Sequence, residues 1–273
     1  MKKEDIKQLL KKDWVVSVAF VAIFAILVFA CWWAWLEFRT SPPYVDFNRY
    51  PIKGIDISRH NGMMNFEAIA EDDVRFVFIK ASEGATHRDE NFNLNYSKAV
   101  RAGLAVGAYH NFRFDVDGIA QAVNFCKVIG DSKLAVGAVI DVEDYGNATG
   151  VETEVIVDEL SSMADYLSMK GHRVIIYTNK DGYYDYIYGR LGLYPLWICS
   201  FSEVPISAEW TFWQYNHRGR VKGIKGDVDL NVFSGSEKEW VEFIGLPADE
   251  YDKLRKNFGA VHYFSHYCFL MVL

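Results

Sequence analysis

Asp141 and Glu143 stand two positions apart at the end of the apolar stretch Ala135–Tyr145, AVGAVIDVEDY. Val136, Ala138, Val139 and Ile140 read as a strand buried on both faces, as in a parallel sheet covered by helices. Residues i and i+2 of a strand project to the same side, so the two carboxyls share a face with Cβ atoms ~7 Å apart. Paired carboxylates at the end of a buried strand cost desolvation and mutual repulsion, which suits an acid/base site better than a core. A solvated acidic turn is the alternative reading of these residues.

The elements that must position the pair emerge from the alternation of patterns after Lys53. Strand-like runs fall at Gly54–Ser58, Arg75–Ala81, Ala105–Phe112, Ala135–Val142, Arg173–Thr178, Leu196–Phe201, Thr211–Tyr215 and Val228–Phe233. Helical spacing falls at Phe66–Ala70, Asn91–Ala102, Gly118–Ile129, Thr153–Lys170 and Tyr183–Leu191. Eight strands in ~180 residues argue for a barrel of parallel strands over an open sheet. The last three have only short connections, so the expected fold is α/β, an irregular TIM-like β/α barrel whose last strands lack crossover helices. In such barrels chemistry sits at the carboxyl ends of the strands. Polar or aromatic groups fall there repeatedly: Asp56, Lys80, Glu83, Tyr109, His110, Asp141, Glu143, Tyr177, Asn179, Trp213, Tyr215, Asp227 and Asp229. His110 comes directly after Tyr109 and therefore faces away from the interior, as a structural histidine. Lys80 and Glu83 read as a structural pair, and His60 stays undecided.

Composition narrows the partners. The net charge of −7, without a basic block beyond the first dozen residues, argues against nucleic-acid binding, which needs clustered Lys and Arg. Cys31, Cys126, Cys199 and Cys268 show no CxxC or Cys/His spacing, so free thiols are expected, with no metal and no cofactor. An aromatic content of 16% exceeds what a core needs and fits a groove that stacks sugar rings.

Trp14–Leu36 carries no charge and is long enough to cross a hydrocarbon core as a helix. Lys2, Lys3, Lys7, Lys11 and Lys12 precede it, and only Glu37 and Arg39 open the far side. The positive-inside rule then keeps residues 1–13 cytoplasmic and exports the chain beyond the helix. A cleaved signal peptide competes, but the run is longer than a typical signal core and ends in a cluster of tryptophans, which favours a retained anchor. Residues 37–52, with Pro42, Pro43 and Pro51, read as a linker and Thr40–Pro51 as an extended tether.

Eight stretches in register, GIDIS with RHNG, FVFIKASEG, GAYHNF, VIDVED, YTN, LWICSF, FWQY and GDVDLNVF, resemble the glycoside hydrolase family 25 muramidases, the Chalaropsis-type lysozymes. The resemblance covers 53–235 and leaves 236–273 as a C-terminal extension of unassigned role. It implies cleavage of the β-1,4 bond between N-acetylmuramic acid and N-acetylglucosamine, with peptidoglycan strands as partner and no obligate protein partner. By motif position, Glu143 is implied as general acid, Asp141 as an ionised stabiliser, and Asp56 and Asp229 as the rest of an acidic floor. Asp229 is preferred to Asp227 on motif register. Tyr109, Tyr177, Trp197, Trp213 and Tyr215 are the expected substrate-binding aromatics. Two departures stand out. Asn65-Phe66 replaces the family's Asp-Trp, and Phe201 replaces a tyrosine. A hydrolase of another N-acetylhexosamine polymer and a catalytically weak glycan-binding module are the alternatives.

Overall fold

The computed structural model describes residues 3–40, 42–205 and 209–245. The chain divides into two compact units, Met1–Pro42 and Pro43–Leu273. The first is one helix, α1 (Lys3–Thr40), whose segment Val16–Trp33 has a mean hydropathy of 2.5 and is long and apolar enough to cross a membrane. The expected tail 246–273, Cys268 included, lies outside the described residues. Cys31, Cys126 and Cys199 are free thiols.

The second unit is built on nine strands: β1 (Lys53–Ile57), β2 (Val74–Glu83), β3 (His87–Arg88), β4 (Ala105–Asn111), β5 (Gly137–Asp141), β6 (Val174–Asn179), β7 (Leu196–Cys199), β8 (Phe212–Gly219) and β9 (Val228–Phe233). Their order is β1-β9-β8-β7-β6-β5-β4-β2, and β2 pairs back onto β1 to close an eight-stranded barrel, with β3 as a short antiparallel edge on β2. The outer layer is α2 (Phe66–Glu71), α3 (Phe92–Arg101), α4 (Gly118–Ile129) and α5 (Thr153–Met169), then the short α6 (Lys180–Gly182) and a π-helical turn, Tyr183–Ile187. Helix starts obey capping chemistry. Asp117 accepts the Ala120 amide at 2.7 Å to open α4, and Asn65 accepts that of Ala68 at 3.1 Å to open α2. Asparagine therefore performs the cap that an aspartate at this place would perform.

One expectation is corrected. The barrel strands before β9 run parallel where they pair with one another, but β9 is antiparallel to both of its neighbours. The β8–β9 connection is a hairpin, and a return to a parallel register would need a crossover of a dozen or more residues. The reversal brings the first residues of β9, not its last, to the mouth where the other strands end. Asp229 thus lies directly opposite Asp56.

Strand alternation sorts the apolar residues into two layers. On β2, Val77 and Ile79 face the helices while Phe76 and Phe78 fill the barrel with Trp197 and Phe212. Phe78 stacks on Trp197 at 4.2 Å between centroids. A Cβ on Gly54 would fall 2.3 Å from the Phe76 ring, so only glycine admits that ring. Burial of each ring contributes ~1.5–3 kcal/mol. The seventh helix, α7 (Glu237–Phe243), closes the end opposite the mouth with Trp240 5.3 Å from Phe76 and 5.2 Å from Phe233. The boundary expected after Gly235 is therefore not a structural one, because an apolar helix face here needs the barrel to cover it. The tether expected over Thr40–Pro51 is also shorter than its prolines suggest. Val45 and Tyr50 are buried against Trp213 and Leu196, with Tyr50 5.2 Å from Trp210.

Candidate active site

The mouth of the barrel opens into a cleft of about 470 Å³. Its walls include all four expected acids, Asp56, Asp141, Glu143 and Asp229, together with Tyr109, Tyr145, Tyr177, Trp197 and Phe201. Lys80 is the one Lys or Arg among its lining residues, and its Nζ is held 2.9 Å from Glu83 Oε2.

Asp56 ends two hydrogen-bonded arms. The Tyr177 hydroxyl donates to Gln214 Oε1 at 2.8 Å, and Gln214 Nε2 donates to Asp56 Oδ2 at 2.8 Å. The Trp197 indole donates to Asn231 Oδ1 at 2.8 Å, and Asn231 Nδ2 donates to the same Asp56 oxygen at 2.8 Å. The Trp197 indole can only donate, so Asn231 must present its NH₂ to Asp56, and Gln214 presents its NH₂ to the same oxygen with the Tyr177 hydroxyl donating to its Oε1. Asp229 supplies a third hydrogen bond. Burial still prevails over these donors and pushes Asp56 up to about 6. Asp229, lifted by its own burial and then by Asp56, is pushed up to about 8. At neutral pH the two hold a proton between them, with Asp229 as donor.

Asp141 and Glu143 form the second pair, as their spacing requires. The loop after β5 is tied down at several points. The Val142 amide donates to Tyr177 O at 2.9 Å and Thr178 Oγ1 donates to Val142 O at 2.8 Å. Asn147 Nδ2 donates to Glu143 O at 3.0 Å and to Phe112 O at 2.7 Å, while its Oδ1 accepts the Phe114 amide at 2.8 Å. Tyr186, on the π-helical turn, donates to Asp144 Oδ1 at 2.7 Å. Burial first, then the charge of Asp56, raise Glu143 above its usual range, against a hydrogen bond with Asn179. Asp141 lies deeper. Burial and the neighbouring Glu143 hold it well above the carboxylate range, and Lys80 acts in the opposite sense. Only Asn111 Nδ2, at 2.7 Å from Oδ2, serves Asp141, while Oδ1 has no hydrogen-bond partner. Of the two, Glu143 is the more accessible.

The aromatic expectations divide. Tyr109 and Tyr177 line the cleft. Trp197 reaches it but is only 2% exposed, with its ring stacked in the core, so it orients Asn231 and offers no open platform for a sugar. Trp213 and Tyr215 do not reach the cleft. Gln214 between them points inward, so strand alternation turns both outward. Trp213 donates to Ser200 O at 2.9 Å, and Tyr215 stacks edge-on to Phe47 at 6.3 Å in a separate hollow of about 350 Å³. The residues passed over, Gln214, Asn231 and Asn111, carried a legible signal: an amide in an otherwise apolar strand has to find a partner. Phe201, in place of tyrosine, lines the cleft and lies 4.5 Å from the His217 ring. His110 is fully buried between Ser82 Oγ (2.8 Å) and Gln121 Oε1 (3.1 Å), and burial pushes it down to about 4. Among the described residues no group of three or more His, Cys, Asp and Glu is placed to hold a metal ion.

The model of the glycosyl hydrolases family 25 matches residues 55–224. The autolytic lysozyme of Clostridium acetobutylicum is 36% identical over 185 residues, 67% of this chain and 56% of that protein. Lysozyme M1 of Streptomyces globisporus is 33% identical over 205 residues, 68% of each chain. The solved structure of a family 25 glycosyl hydrolase from Bacillus anthracis superposes with a TM-score of 0.69 at 35% identity, covering 74% of this chain and 96% of that one.

Proposed function

This chain belongs to the glycosyl hydrolases family 25, and on that premise we propose how its acids divide the work of a peptidoglycan muramidase. The reaction is hydrolysis of the β-1,4 bond between N-acetylmuramic acid and N-acetylglucosamine. Glu143, its proton retained by burial and by the charge of Asp56, gives that proton to the glycosidic oxygen as the bond breaks. Asp141 carries the balancing negative charge. Asp141 acts as the carboxylate, and its charge faces the positive charge growing on the sugar or its acetamido group without a proton of its own being transferred. Water then adds at the anomeric carbon and returns a proton to Glu143. Asp56 and Asp229, sharing one proton, form the acidic floor that keeps Glu143 protonated. Tyr109 and Tyr177 offer hydroxyls and ring edges to the sugars. The observation that carries this reading is that Asp141 and Glu143, at the end of a buried strand, line one cleft with two further acids, Asp56 and Asp229.

We further propose that 14–36 spans the cytoplasmic membrane, with 1–13 inside and the barrel outside, where its substrate lies. Protease added to spheroplasts is expected to remove the barrel and spare the N-terminus. Full-length protein in detergent, incubated with purified peptidoglycan, should release fragments with reducing-end N-acetylmuramic acid, read by mass spectrometry. Reducing-end N-acetylglucosamine would assign a different bond, and bound but uncut wall would mean a binding module.

A further inference from the structure

Contrary to the expectation that basic residues cluster only in the first dozen positions, the segment Asn216–Asp227, NHRGRVKGIKGD, concentrates Arg218, Arg220, Lys222 and Lys225 in a chain of net charge −7. All four side chains and His217 are exposed. This segment is the β8–β9 hairpin, and it grows directly out of the cleft. Its incoming strand carries Gln214 and its outgoing strand Asp229, both lining residues, and the His217 ring lies 4.5 Å from Phe201 on the cleft wall. The hairpin is also pinned in place. Gly223 O accepts the Asn65 amide at 2.9 Å, the Lys222 amide donates to Asp72 Oδ2 at 3.0 Å, and Val221 and Ile224 pack on the helix-side core. Arg220 is paired with Asp227 at 2.9 Å and Lys222 with Asp72 at 3.4 Å. Arg218 and Lys225 have no acidic partner among the described residues.

We infer that this hairpin is a subsite for carboxylate-bearing branches of the glycan strand, with Arg218 and Lys225 as the groups that receive them. The inference rests on the muramidase reading. The sugar backbone of that substrate is uncharged, whereas its peptide branches end in carboxylates. A cleft with four acids repels such groups, so they must be led outward to the rim, and the hairpin is the basic rim contiguous with the cleft. Arg218 presents a planar fork that matches a carboxylate bidentately, and Lys225 adds a point charge. Because the hairpin is held by backbone hydrogen bonds and core contacts, the backbone that carries these charges is fixed before substrate arrives.

The test compares kcat/KM of the full-length protein on two forms of one peptidoglycan, stripped of phosphate polymers: the free acid, and the same wall with its carboxyls converted to amides. The free-acid wall is expected to be cut about fivefold faster at low ionic strength, the advantage of two exposed ion pairs, and this ratio should fall towards one in high salt. In the Arg218→Gln/Lys225→Gln variant the ratio should be near one, and Arg218→Lys/Lys225→Arg should restore most of it. Equal rates on both walls for the native protein, or an undiminished ratio in the glutamine variant, overturn the inference while leaving the muramidase reading intact. Failure to cut either wall overturns both.

Discussion

Replacing Asp229 with asparagine is expected to remove activity and yet stabilise the fold, increasingly so as pH rises. Asp229 is pushed up to about 8 in the folded protein, while in the unfolded chain it titrates near 4. Between those values the folded state binds more protons than the unfolded one, so native stability must fall as pH rises through this window. From pH 5 to pH 8 one such group would cost ~4 kcal/mol at ~1.4 kcal/mol per pH unit. Sharing of the proton with Asp56 and the residual exposure of Asp229 reduce this to ~2 kcal/mol. Asparagine keeps the geometry, because its Nδ2 can donate to Asp56 where the carboxyl O–H donated, and it removes the like charge. Urea unfolding of both proteins, monitored by tryptophan fluorescence, should show the variant leading by less than ~1 kcal/mol at pH 5, one unit into the window. At pH 8 the variant should lead by ~2 kcal/mol, or several degrees in a melt of a domain this size. A variant less stable than the native protein at pH 8, or a gap independent of pH, would refute the claim that the pair holds a proton.

The same geometry sets three further outcomes. Glu143→Gln should lower kcat by ~10²–10⁴ while glycan affinity, measured by co-sedimentation with wall, is retained; near-native turnover would remove Glu143 from the acid's role. Asn147→Ala deletes two donated hydrogen bonds that hold the Glu143 loop, so kcat should drop about tenfold with little change in KM, and stability by ~1–2 kcal/mol in a urea titration. Trp197→Phe keeps the stacking on Phe78 but leaves Asn231 Oδ1 without its donor, which should cost ~1–3 kcal/mol by thermal melt and slow turnover through Asp56.

Much of this protein is written locally. The apolar stretch of α1, the alternation of β2 and the glycine-ended helices depend on neighbours in sequence, and their periods declare them. The Asp141/Glu143 pair was equally legible, because a strand end places i and i+2 together whatever the surrounding fold. The direction of β9 depends on where a hairpin turns, and that reversal is why Asp229 meets Asp56 from the start of its strand. Which face of β8 looks inward depends on registry with β7 and β9, so the amide of FWQY marked Gln214 as needing a partner but did not place that partner in the cleft or turn Trp213 and Tyr215 away from it. The same holds for Trp197, whose aromatic character suggested a sugar platform until its ring was found stacked in the core. The sequence by itself determined the elements, their order and the residue types able to move a proton. Tertiary structure alone decided which carboxyls keep one, since that depends on burial and on partners brought together from strands more than 150 positions apart.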